Sequence, residues 1–119
     1  VFIEFFRGNL QVTVHFEELL RADSLLTYSP VTLAEIYRGI RSNEKAEVET
    51  ILSAFECLPL NQEVGRRAGD YLKKYARSHG IEVADALIAA TAVIHKVQLC
   101  TFNWKHYPMG EIRRFRIDR

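Results

Sequence analysis

Cysteine, proline and glycine are scarce in this chain of 119 residues: two, three and six respectively. Two cysteines, Cys57 and Cys100, cannot build the disulfide framework of a small secreted scaffold, and neither has a partner at metal-ligand spacing. A reducing, cytoplasmic setting is therefore expected. So little proline and glycine excludes collagen-like and low-complexity chains. Long hydrophobic runs are missing too. The densest apolar uncharged stretch, Ala86 to Ile94, falls far below the ~20 residues a spanning helix needs, so no membrane association is expected. A formal net charge of only +1 rules out a protein that binds polyanions by bulk charge alone. A glycine-rich phosphate loop is absent, which argues against a nucleotide-binding or small phosphotransfer domain. No Ser-His-Asp or Cys-His arrangement points to a side-chain nucleophile.

What is present is the mix of an ordinary globular domain, 48% hydrophobic and 26% charged, at a length that fits one domain. Charge is unevenly spread. Residues 42–63 hold five Glu against Lys45, whereas residues 66–79 hold Arg66, Arg67, Lys73, Lys74 and Arg77 against Asp70. The tail from Lys105 is basic again. Such clusters suit phosphates, although a solvated helix face accounts for them equally well.

No repeat or linker interrupts the chain. Val1 to Arg7 is an apolar run that reads as strand or short helix and stops at Gly8-Asn9. Residues 11–22 have the spacing of an amphipathic helix, with Val12, Phe16, Leu19 and Leu20 on one face. Leu25 to Ser29 reads as a short buried strand. From Pro30 a helical stripe runs through Leu33, Ile36, Tyr37 and Ile40, ending at Ser42-Asn43. Residues 44–56 make a further helix with Val48, Ile51, Leu52 and Phe55 inward, and Cys57 to Leu60 is extended because Pro59 opposes helix. A basic helix over 62–78 turns Val64, Ala68, Tyr71, Leu72 and Tyr75 inward and ends at His79-Gly80. Ala84 to Lys96 is an alanine-rich core helix. Val97 to Thr101 and Arg114 to Asp118 are strands. Short buried strands between helices predict an α/β fold with a mainly parallel sheet, in which ligands bind at the carboxyl ends of strands.

Three polar positions stand where strands give way to helices: Glu35, Asp85 and Asn103, the last beside Thr101. Each has a plain structural explanation. Thr32-Leu-Ala-Glu35 matches a capping box, Asp85 suits the dipole of a first helical turn, and Asn103 with Thr101 suits a turn. Together, two carboxylates converging on one sheet rim suit a hard divalent cation, which keeps waters and is completed by substrate phosphates.

Ser29-Pro-Val-Thr-Leu-Ala-Glu-Ile-Tyr-Arg-Gly-Ile-Arg41, Ile81-Glu-Val-Ala-Asp-Ala-Leu-Ile-Ala-Ala-Thr-Ala92 and Leu99-Cys-Thr-Phe-Asn103 resemble PIN-domain ribonucleases, most closely the VapC-type toxins of type II toxin–antitoxin pairs. The similarity runs in order along nearly the whole chain. Phe2 to Gly8 resembles the helix that follows the family's first strand. The resemblance implies a three-layer α/β sandwich around a parallel sheet and a Mg²⁺- or Mn²⁺-dependent endoribonuclease. Glu35 and Asp85 match the second and third acids of its metal site. The first acid would be an Asp ending a strand a few residues ahead of Val1, so the natural protein is expected to begin further upstream. Where family members commonly carry a further Asp, this chain has Asn103, Lys105 and His106. Asn103, oriented by Thr101, is assigned a supporting role. His106 reads as a surface histidine, with metal ligation the alternative.

The reaction implied is metal-assisted hydrolysis of RNA (tRNA, rRNA or mRNA), with Arg38, Arg66, Arg67, Lys73, Lys74 and Arg77 as backbone contacts. The partners implied are a VapB-like antitoxin and a second copy of the chain. Phe5, Phe6, Phe16 and Phe55 are apolar surplus available to them. The incomplete acid set leaves one competing reading, a PIN-like module that binds RNA or protein without cutting.

Overall fold

A computed structural model describes Phe2–Ile3 together with residues 27–101 and 104–114. The expected helix over 11–22, residues 115–118 of the expected terminal strand, Asn103, and Phe5, Phe6 and Phe16 lie outside the described residues.

Strand β1 (Phe2–Ile3) and strand β2 (Thr27–Tyr28) pair in parallel, Phe2 opposite Thr27. Helix α1 (Pro30–Gly39) follows, then a 3₁₀ turn (Ser42–Glu44) and helix α2 (Lys45–Leu52). Strand β3 (Glu56–Cys57) precedes helices α3 (Gln62–His79) and α4 (Val83–Ile94), and strand β4 (Leu99–Cys100) leads into a second 3₁₀ turn (Trp104–His106). The sheet order is β3-β2-β1-β4, every pairing parallel, with an isolated parallel bridge from Leu99 to Arg114.

Two segments depart from the sequence-based expectation. Phe2–Ile3, placed by the resemblance at the start of a helix, is strand and lies inside the sheet between β2 and β4. An aromatic and a β-branched residue suit a position flanked by strands on both sides. The helix expected over 44–56 stops at Leu52. Glu56 and Cys57 pair with Thr27 and Tyr28, and the Leu58 amide donates to the Tyr28 carbonyl at 2.8 Å, so the chain must leave helical geometry to join the sheet.

The core is built from α4. Ala86, Ile88, Ala89, Ala90, Thr91 and Ala92 are all buried, and the small side chains let α4 press between the sheet residue Leu99 and α3. α3 contributes Val64, Ala68 and Tyr71, with Leu72 and Tyr75 half-buried, which is the stripe its periodicity predicts. Its ends are set locally: Asn61 Oδ1 accepts the Val64 amide at 2.9 Å, and Gly80 closes the helix at φ 62°, where a Cβ would be strained.

α4 ends differently. Lys96 adopts φ 56°, with its amide on the Val93 carbonyl and the Val97 amide on the Ala92 carbonyl. This is the Schellman closure with a lysine where glycine is favoured. Tyr107 and Met109 join the core, and Tyr71 Oη donates to Glu111 Oε2 at 2.5 Å, tying the segment that carries them to α3.

Candidate active site

Because all four strands run the same way, their carboxyl ends share one rim, and the chain leaves that rim at Ser29 after β2 and at Thr101 after β4. Both residues are buried. Ser29 is the cap of α1: its Oγ accepts the Val31 and Thr32 amides at 3.1 and 3.2 Å, and Pro30 takes the first helical position, where no amide is needed.

That cap settles one of the alternatives for Glu35. A capping box of Thr32 with Glu35 would require Thr32 outside the helix, but Thr32 is a buried residue within α1. Glu35 stands in the second turn, half-buried, with its Oε1 shielded from solvent. Helix capping therefore does not explain it.

Asp85 keeps its structural role and gains another. It sits in the first turn of α4, 2% exposed, and its Oδ2 accepts the Glu82 amide at 2.9 Å. The same oxygen faces His106 Nδ1 at 3.7 Å. α4 packs against α1, which carries Glu35. The fold thus brings the imidazole of His106 to the carboxylate of Asp85, and packs the helix that carries Glu35 against the helix that carries Asp85.

His106 is the residue that sequence reasoning undervalued: it is not a lone surface histidine but lies 24% exposed against a buried carboxylate. No local signal reveals this, since Asp85 is on another element. The nearest hint is the apolar pair Tyr107 and Met109, whose burial anchors the turn that carries it. The Tyr107 amide closes that turn on the Trp104 carbonyl at 2.9 Å, and the Arg114 guanidinium lies 4.6 Å from the Trp104 ring centre.

Divalent-cation chemistry asks for oxygen donors from one or two carboxylates, with water and phosphate completing the shell. Asp85 and Glu35 fit that donor set. Among the described residues no group of three His, Cys, Asp or Glu side chains is close enough to hold a metal by itself. Cys57 offers no competing nucleophile, because desolvation raises its thiol above the ordinary value and keeps it protonated at neutral pH.

The basic residues divide into two groups. Arg66, Lys73, Lys74 and Arg77 are exposed on α3, as is Arg38 at the end of α1. The C-terminal end of α3 is joined to the first turn of α4 by only Gly80–Glu82, so Lys73, Lys74 and Arg77 stand at Asp85's end. Along the helix axis Arg66 lies about 10 Å from Lys73 and about 16 Å from Arg77. Arg67 is half-buried and engaged with the Tyr71 hydroxyl, an interaction that holds its guanidinium above the ordinary value.

The chain matches the family model described as "PIN domain" over residues 1–111, and it belongs to that family. Among curated relatives it is 44% identical over 92 residues to "Ribonuclease VapC10" of Mycobacterium tuberculosis, a match covering 76% of this chain and 69% of that protein. It is 32% identical over 108 residues to "Ribonuclease VapC19" of the same organism, covering 90% and 86%. Its fold is shared with a chain of the DNA-bound VapBC crystal structure from Salmonella typhimurium, with a TM-score of 0.79 and 21% identity across 96% of each chain. A helix long and apolar enough to cross a membrane does not occur among the described residues.

Proposed function

We propose that this PIN-domain chain is a VapC-type toxin: a Mg²⁺- or Mn²⁺-dependent endoribonuclease, held in check in the cytoplasm by a VapB-like antitoxin and acting as a homodimer. The observation that carries the reading is Asp85. It is a fully buried carboxylate at a helix start on the sheet rim, with Glu35 on the helix packed beside it. A bound divalent cation would supply an acidified water and neutralise charge developing on the scissile phosphate. Asp85 and Glu35 would hold that cation.

The remaining work falls to side chains of this chain. The Glu82 amide fixes Asp85 Oδ2, so the carboxylate presents one orientation. Asn103 takes the supporting role that the resemblance implies for it, with Thr101, buried after β4, two residues before it. Lys73, Lys74 and Arg77 bind RNA phosphates at the Asp85 end of α3, and Arg38 adds a cation at the end of α1.

The sparse set of donors among the described residues favours one alternative, a module that binds RNA without cutting it. Total tRNA incubated with antitoxin-free protein under Mg²⁺, Mn²⁺ or EDTA separates the two, with Glu35→Gln and Asp85→Asn in parallel. Cleavage that needs the metal and both carboxylates supports the nuclease; RNA binding without cleavage under any condition supports the module.

A further inference from the structure

The second half of α3 carries a series of rings that the core does not use up. Tyr71, Tyr75 and His79 recur every four residues and so share one helix face. Ring centres are 6.3 Å apart from Tyr71 to Tyr75 and 5.6 Å apart from Tyr75 to His79, within the range of attractive ring contacts. Burial falls along the series: Tyr71 is buried, Tyr75 half-buried and His79 exposed. The Tyr75 ring is engaged on several sides, by Tyr71, by His79 at an interplanar angle of 79°, and by the Lys74 ammonium 5.4 Å from its centre. The imidazole that ends the series is held twice, against Tyr75 and by Ser78, whose Oγ lies 2.7 Å from His79 Nδ1. An exposed ring with its orientation set beforehand loses little further freedom when a ligand lies against it.

The surroundings say what such a ring accepts. Lys73, Lys74 and Arg77 are exposed on the same turns, where Asp70 is the one carboxylate. Across the Gly80–Glu82 link, Val83 is 60% exposed, the most exposed large apolar side chain among the described residues. A free ring, an exposed apolar side chain and a group of cations together match a nucleotide, which offers a flat base and an anionic phosphate. The end of a helix bears partial negative charge, so phosphate there is held by lysine and arginine side chains and not by backbone amides.

We propose that His79, braced by Tyr75 and Ser78, stacks on one unpaired nucleobase of the RNA while Lys74 and Arg77 hold the flanking phosphates, so that the protein takes single-stranded RNA in preference to duplex. The proposal rests on the reading of this chain as an RNA-binding protein. Inside a duplex both faces of a base are covered by its neighbours, whereas an unpaired base can be splayed onto a side-chain ring.

The test uses a short single-stranded RNA carrying 2-aminopurine, and the same strand annealed to its complement, in EDTA so that neither is cut. Affinity is read by fluorescence anisotropy and stacking by quenching of the 2-aminopurine. His79→Ala is expected to weaken single-strand binding by roughly 5- to 30-fold and to abolish the quenching. Duplex binding changes less than about twofold. His79→Phe, which keeps a ring without its nitrogens, stays within about threefold of wild type on the single strand. The slope of log affinity against log salt is unchanged in His79→Ala and falls by about 0.7 in Lys74→Gln. Single-strand affinity unchanged in His79→Ala overturns the platform and leaves the RNA reading standing. Equal losses in His79→Ala and His79→Phe overturn stacking, and equal losses on both RNAs overturn the preference for single strands. Wild-type protein that binds neither RNA overturns this proposal and the RNA reading together.

Discussion

Asp85 accepts a backbone hydrogen bond in this structure and is proposed to hold a cation, and the two roles can be separated because they respond differently to the same change. As a helix-start acceptor it satisfies the Glu82 amide at 2.9 Å. Losing such an acceptor costs about 0.5–2 kcal/mol, and losing a carboxylate near a helix N-terminus costs about 0.3–1 kcal/mol. Asp85→Asn keeps an oxygen able to accept that amide and relieves a buried charge, so the fold is expected to lose less than about 1 kcal/mol. Asp85→Ala removes the acceptor and is expected to lose about 1–2 kcal/mol. At roughly 4 °C per kcal/mol for a domain of this size, the melting temperature falls by under about 4 °C for Asn and about 4–8 °C for Ala. Domains are typically stable by 5–15 kcal/mol, so both variants stay folded at 25 °C. Cleavage behaves otherwise: removing the negative charge from the cation site is expected to cost at least about 100-fold in either variant, some 2.7 kcal/mol on the barrier. Thermal denaturation and a metal-dependent RNA cleavage assay on the same preparations read the two effects. If Asp85→Asn cleaved within threefold of wild type, Asp85 would be a helix cap and nothing more. If its melting temperature fell by more than about 8 °C, the energetic separation would be wrong.

Lys96→Gly should stabilise the protein by about 1 kcal/mol, because a non-glycine residue at φ 56° carries the left-handed penalty; a melting temperature that falls instead would refute the strain. Burial, and then the hydrogen bond to Glu111, push the Tyr71 hydroxyl up to about 12. The folded state therefore holds this proton more tightly than the unfolded chain, whose tyrosine titrates near 10. Its stabilising contribution is complete below about pH 10 and is lost as pH rises toward 12, by roughly 2–3 kcal/mol. Urea denaturation from pH 9 to 12 should show that decline in wild type and a shallower one in Tyr71→Phe. For RNA binding, Lys73→Gln or Arg77→Gln should each lower the slope of log affinity against log salt by about 0.7, with Arg66→Gln changing it little. Equal effects at all three positions would dissociate the basic helix from the Asp85 end.

Much of this protein follows from its sequence alone. The apolar spacing of Val64, Ala68 and Tyr71 specifies the buried face of α3, and Asn61 and Gly80 specify its ends, because helical period and capping act within a few residues. Ser29-Pro30 marks the start of α1 for the same reason, and the alanine run of α4 announces a helix packed on all sides. Element order and the parallel-sheet rule pick out Glu35 and Asp85 as candidate rim carboxylates, but Asp85 opens a helix that follows another helix, α3, and not the strand expected before it. What the tertiary structure decided lies where distant segments meet. Phe2–Ile3 is strand because it is flanked by β2 and β4, a competition seven apolar residues cannot resolve by themselves. Phe55 to Cys57 leave the helix because pairing with Thr27 and Tyr28 outweighs local helical period. Ser29, rather than Thr32, caps α1, so Glu35 has no part in a capping box. The meeting of His106 with Asp85 joins positions on separate elements, set by the burial of Tyr107 and Met109. Sequence fixes what short-range periodicity and capping control; the position of an imidazole beside a carboxylate is set by the packing of the whole chain.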